Sequence, residues 1–176
     1  YNQELWKFGT LELNSQRFAS FVGTPAERLH QLNARVQAAG WRGTGLWIAP
    51  QVPGDGHGGH LSDDDTAQRY WRERARWCAH AGIAYWKVDI GARCGSLAFR
   101  RLLTNIAREE APSLIVEHAP MGGPVNDVPA SWENFASART YRYNDYGDLL
   151  ARSLALLEFS AVLRLYDVTN QLSVAT

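Results

Sequence analysis

The chain reads as an α/β protein with a parallel sheet, and three observations predict it. Segments of strand and helix character alternate from the first third of the chain to its end, the order that gives parallel strands joined by crossover helices. Helix-to-strand links are only a few residues ("WRGT", "IA", "PS"), whereas two strand-to-helix links reach about 14 and 28 residues. Long segments at strand C-termini are where α/β proteins place their sites. Finally, "AYWKVDIG", residues 84–91, has the pattern of a buried strand yet carries Lys87 and Asp89 near its end.

The elements follow in order. "TPAERLHQLNARVQAAG", residues 24–40, is a helix marked at both ends. Thr24 is the N-cap, Pro25 occupies the first helical position, Glu27 completes a capping box and Gly40 provides the stop. Leu29, Leu32, Val36 and Ala39 form its apolar stripe. A strand covers 45–51, and a Gly-rich segment, "VPGDGHGGHLSDDD", leads to a second helix over 66–82. That helix sets Trp71, Ala75 and Cys78 on one face and ends at Gly82. The strand over 84–91 and the short loop "GARCG" precede a third helix over 96–111 and a strand over 113–119. A very long segment from Pro120 to about Gly147 precedes a fourth helix over 148–159 and a strand over 160–167.

Composition narrows the function classes. Hydrophobic residues make up 45% and charged residues 20%, which suits a packed core. Eighteen basic residues balance eighteen acidic ones, so charge gives no reason to expect nucleic acid or an anionic membrane as partner. No apolar run reaches the ~18 residues a membrane span needs, and no signal peptide is visible. Cys78 and Cys94 form neither a metal-type spacing nor a disulfide framework, which favours a reducing, cytoplasmic compartment. The absence of an initial methionine and of any terminal signature suggests one partial domain, 1–176, of a longer chain. No strand is followed by a Gly-x-Gly-x-x-Gly or a phosphate-cradling Gly-Lys-Ser/Thr, which speaks against a nucleotide site. Seven tryptophans and seven tyrosines are mostly core material, but a few could stack on pyranose rings.

Alternation along 84–91 puts Tyr85, Lys87 and Asp89 on one face and Trp86, Val88 and Ile90 on the other. The second face is apolar, as covering helices require. The first ends in an ion pair whose burial seldom gains net stability, so a use for it is expected. A carboxylate beside a cation is favoured in its charged form, which suits a nucleophile or a charge stabiliser. With a second carboxyl group about 5–5.5 Å away, such a site would be a retaining glycosidase's.

Here the sequence resembles a known family. "YWRERARWCAHAGIAYWKVDIG" resembles the segment before and through the fourth strand of α-galactosidase (melibiase)-type glycoside hydrolases. "LNSQRFASFVGTPAERLHQLNARVQAAGWRGTGLWIAP" resembles the stretch through the same families' third strand, with Ala19 in place of the usual proline. "LRLYDV" resembles the sixth-strand motif, in which an arginine precedes the aspartate that serves as acid/base. The resemblance implies a partial (β/α)8 TIM barrel containing strands three to six. It also implies Asp89 as nucleophile, Asp167 as acid/base, Lys87 as a sugar-hydroxyl ligand and Arg164 as a substrate contact. A carbohydrate is the implied substrate, and no cofactor or metal is called for.

Other residues join as binding candidates by position: Trp47 and Gln51 at the end of the strand over 45–51, and Glu117 and His118 at the end of the strand over 113–119. Trp132, Tyr141, Tyr143 and Tyr146 could wall the pocket from the long segment. Arg164 and Asp167 stand three apart where many relatives have four, so simple alternation would turn them to opposite faces. Glu117, Asp145 and Asp148 are therefore alternative acids, and a non-catalytic carbohydrate-binding relative is the alternative function. A third reading, a metal-dependent barrel enzyme, would use His57, His60 and the aspartates of "HGGHLSDDD". The plain reading of that loop is solvated chain, with Ser62 or an aspartate capping the next helix.

Overall fold

The computed structural model describes residues 10–89, 91–118 and 154–163. Helix α1 spans Pro25–Ala38, α2 Asp64–Ala81 and α3 Leu97–Glu110. Strands β1 (Gly45–Ile48), β2 (Tyr85–Val88), β3 (Ile115–His118) and β4 (Val162–Leu163) make a four-stranded sheet in the order β1-β2-β3-β4. All three pairings are parallel. The expected α/β class with a parallel sheet and alternating helices is the fold observed.

Local chemistry sets the element ends. Thr24 Oγ1 accepts from Glu27 N and Glu27 Oε2 accepts from Thr24 N at 2.7 Å, so the capping box is complete in both directions. At the other end of α1, Gly40 N donates to Gln37 O and Trp41 N to Val36 O, the paired bonds of a Schellman turn. Gly40 sits at φ +91°, a conformation that a side chain would oppose. Helix α2 begins two residues earlier than its apolar pattern indicates. Asp63, its N-cap, accepts from Thr66 N at 2.7 Å, which leaves Asp64 and Asp65 in the first turn, where the helix dipole favours them. Ser96 caps α3 by accepting from Phe99 N.

The core lies between the sheet and the helices. Leu46, Ile48, Trp86, Val88, Val116 and His118 share one sheet face by register and alternation. Helices α2 and α3 cover that face. Trp71 of α2 meets Trp86 edge-on with centroids 5.6 Å apart, and both rings are fully buried. Their indole N–H groups are satisfied, Trp71 by Gln51 O at 3.1 Å and Trp86 by Cys78 Sγ at 3.2 Å. Burial pushes the Cys78 thiol up to about 12, so this cysteine is packing material and not a nucleophile. Helix α1 joins through Asn33, which is buried and donates to Ala81 O and Gly82 O while accepting from Thr44 N at 2.8 Å.

Candidate functional site

On the other sheet face, three neighbouring strands bring Trp47, Lys87 and Glu117 into register, side by side. Strands stand ~4.8 Å apart, so these side chains are neighbours by construction. Tyr85 lies one pleat below Lys87, and Asp89 one pleat above it, just past the C-terminal end of β2. Gly45 and Ile115 on this face are exposed, and Trp47, Tyr85 and Lys87 are half-buried.

Asp89 is the centre of the group and only 8% exposed. Its Oδ2 accepts from the Trp47 indole Nε1 at 2.8 Å and lies 3.1 Å from Lys87 Nζ. Its backbone N–H donates to Ile48 O at 2.9 Å, so sheet-like bonding extends to the residue that carries the carboxylate. The answer to the sequence's ion pair is therefore a held carboxylate: one oxygen is fixed by a cation from its own strand and a neutral donor from the next strand. On β3, the Tyr85 hydroxyl donates to Glu117 Oε2, which gives the second carboxylate of this face its own anchor.

Four of the expected residues, Asp89, Lys87, Trp47 and Glu117, thus meet on one face. Two do not. His118 is fully buried on the opposite face, against α3 and Phe159. Arg100 Nη1 lies 3.3 Å from its Nδ1, and Thr104 Oγ1 lies 2.8 Å from its Nε2. A guanidinium can only donate, so Nδ1 accepts and Nε2 carries the proton toward Thr104, which donates on to Arg100 O. Burial first, and the Arg100 charge second, hold the His118 pKa well below the usual 6.5. The sugar-contact expectation for His118 is corrected: neighbours on a strand alternate faces, so Glu117 and His118 cannot both face the site.

Gln51, the other residue off this face, lies in the loop after β1. It is 5% exposed, and its side-chain oxygen accepts from Ala92 N at 3.0 Å. It ties the loop after β1 to the loop after β2 and so shapes the site's wall. Arg164 and Asp167 lie outside the described residues, as do Asp145, Asp148, Trp132 and the tyrosines at 141, 143 and 146.

The Gly-rich segment after β1 holds what the sequence reading missed. His57 and His60 are exposed, in and beside a short 3-10 turn, while Asp55 beside them is buried. Asp55 Oδ1 accepts from Ser62 N and Ser62 Oγ, and Oδ2 accepts from Val52 N and from Arg93 Nε at 3.0 Å. Among the described residues, no three His, Cys, Asp or Glu side chains gather as a metal site would need. The segment is organised around a carboxylate–guanidinium pair. The available signal was the acidic residue between two glycines, Gly54 and Gly56, both at positive φ, which let the chain fold back on it.

No family model, curated protein or solved structure matches this chain. Its function has to be read from the residues and their arrangement.

Proposed function

We propose that the protein is a retaining glycoside hydrolase of α-galactosidase-like type with Asp89 as its nucleophile. One observation carries the reading. Asp89 sits at the C-terminal end of a parallel strand, oriented by Lys87 and Trp47, on the sheet face that α2 and α3 leave to other uses. A carboxylate with one oxygen so held is aimed, which is what attack on an anomeric carbon demands.

The sheet supports a (β/α)8 barrel as the setting. Its strands follow in sequence order without reversal, whereas a doubly wound sheet places its site where the order reverses. With right-handed crossovers, an unreversed order puts successive helices on one face and leaves the other for the barrel interior. On this reading the chain supplies four neighbouring strands of the eight.

In the first step the Asp89 carboxylate forms an ester bond to the anomeric carbon as the glycosidic bond breaks, and Asp167 gives its proton to the departing oxygen. In the second, Asp167 takes a proton from water, which displaces Asp89 and releases the sugar. Lys87 balances the charge that leaves Asp89 and returns to it, and its half-exposed ammonium is placed to meet a sugar hydroxyl as well. Glu117, held by Tyr85, is a second acceptor for hydroxyls on the same face.

The test is covalent trapping. The intact protein is incubated with activated 2-fluoro glycosyl fluorides of galacto and gluco configuration, and the labelled peptide is mapped by mass spectrometry. The expected label is on Asp89. A label on another residue, or none with any of these sugars, overturns the assignment. Sugar binding without a label would fit a carbohydrate-binding relative that lacks a working acid.

A further inference from the structure

We propose that Arg93 is a positioning residue for Asp89, acting through a clamp that joins the loop after β2 to the loop after β1. Arg93 is 4% exposed. Its Nε donates to Asp55 Oδ2 at 3.0 Å, Nη1 to Asp64 Oδ1 at 3.2 Å and Nη2 to Ser62 O. One side chain from the loop after β2 thus reaches two points of the segment between β1 and α2 and the first residue of α2 itself. Its backbone takes part too, since Arg93 N donates to Pro50 O at 3.0 Å.

Neighbouring contacts tie this clamp to the strand end that carries Asp89. Asp89 N bonds to Ile48 O, Ala92 N to Gln51 Oε1 and Arg93 N to Pro50 O, so the two loops run bonded together as continuations of β1 and β2. Gly91 packs so closely on Pro50 that an added Cβ would stand 2.8 Å from Pro50 Cδ and 2.9 Å from its N. At the next residue, Arg100 Nε donates to Cys94 O at 2.7 Å. The chain is therefore held at both Arg93 and Cys94, four and five residues beyond Asp89. The Asp89 side chain reaches its second strand through Trp47, which belongs to β1. Arg93 fixes the separation of those two strand ends, and so the Trp47–Asp89 bond.

A guanidinium suits this task where an ammonium does not. Its planar fork keeps donors in fixed directions, and it stays charged when buried. A lysine at 93 would keep the charge and one contact but could not span all three acceptors.

The inference that Arg93 holds Asp89 needs no assumption about the reaction; its effect on catalysis rests on the glycosidase reading. The first readout is therefore independent of activity. In the intact protein with ¹⁵N-labelled tryptophan, the Trp47 indole resonance is assigned by its loss in Trp47→Phe. Arg93→Met is expected to displace that resonance while a cooperative melt persists, and Arg93→Lys to displace it less, in the same direction. Arg101→Met, which removes an exposed pair with Glu158, is expected to leave it unmoved. A folded Arg93→Met protein with the Trp47 resonance in place overturns the proposal. Should Arg93→Met not fold, Arg93→Lys decides alone, and an unmoved resonance there overturns it equally. If the wild type takes a covalent label, Arg93→Met should slow labelling by up to about 100-fold, the cost of a misplacement near 1 Å.

Discussion

Asp89 receives a neutral donor and a cation on the same oxygen, and these two partners act differently. Lys87 supplies charge, and Trp47 supplies direction, because a rigid indole N–H on a neighbouring strand admits few geometries. Trp47→Phe removes the indole N–H donor and leaves a smaller, apolar ring at a half-buried position. If Asp89 takes the covalent label, loss of this donor lets its carboxylate misalign, and labelling should slow by roughly 10- to 100-fold, measured as the trapping rate at saturating reagent. A rate unchanged in this variant would mean that Trp47 serves packing alone. His118 yields a prediction of another kind. Its pKa is held well below 6.5 by burial and by Arg100. Below about pH 6.5 the unfolded chain therefore binds a proton that the folded protein refuses. Stability from this residue is complete above that pH and is lost as pH falls below it, by up to about 1.4 kcal/mol per pH unit. His118→Gln should shrink the fall in Tm between pH 7 and pH 5; an identical fall in both proteins would locate the acid sensitivity elsewhere.

The elements repeat this lesson one level up. The helices were legible from their apolar faces and from the end signals of α1 and α2, the capping box of Thr24 and Glu27 and the stops at Gly40 and Gly82, whereas the start of α2 at Asp63 and the Ser96 cap of α3 emerged only in the fold. Thr24→Ala removes both hydrogen bonds of the Thr24 hydroxyl with Glu27 and should cost about 1 kcal/mol, or about 2–4 °C in Tm. A melt shifted by less than 1 °C would show that Glu27 alone holds the first turn. The strand faces were legible too, since the alternation that set Lys87 and Asp89 apart from Trp86 and Val88 is the alternation observed. The same alternation could have removed His118 from the site, because Glu117 precedes it by one residue. What single-residue patterns could not show was the pairing of Asp55 with Arg93. They lie 38 residues apart, each in a segment with no period to read. A charged residue in a Gly-rich loop reads as solvated until its distant partner is known. Gln51 shows the same limit: proximity to the site was legible, but its engagement with Ala92 was not.

At the scale of the whole molecule, the barrel reading makes a claim about β1. In a strand at the edge of a sheet, only every second backbone N–H joins the ladder. In a strand with neighbours on both sides, every one does. If β1 is an interior strand of a barrel in the intact protein, the consecutive amides of Leu46, Trp47 and Ile48 should all resist hydrogen exchange. Alternating protection along these three residues would make β1 an edge and would favour an open sheet. The measurement also bears on the site, because Trp47 can hold Asp89 firmly only if β1 is itself held.

The unreversed strand order has a consequence for how the protein forms. Each strand bonds to the next in the chain: Gly45 pairs with Tyr85, Tyr85 with Ile115 and Glu117 with Val162. Among the described strands, each finds a partner in the next one made. The sheet can grow by accretion as the polypeptide is synthesised, each new βα unit docking on the one before it, so that the closure cost of each pairing is met one unit at a time. Asp89 would then acquire its surroundings in a fixed sequence. Trp47 is already synthesised when the carboxylate emerges, Arg93 follows within a few residues, and Glu117 completes the row when β3 arrives.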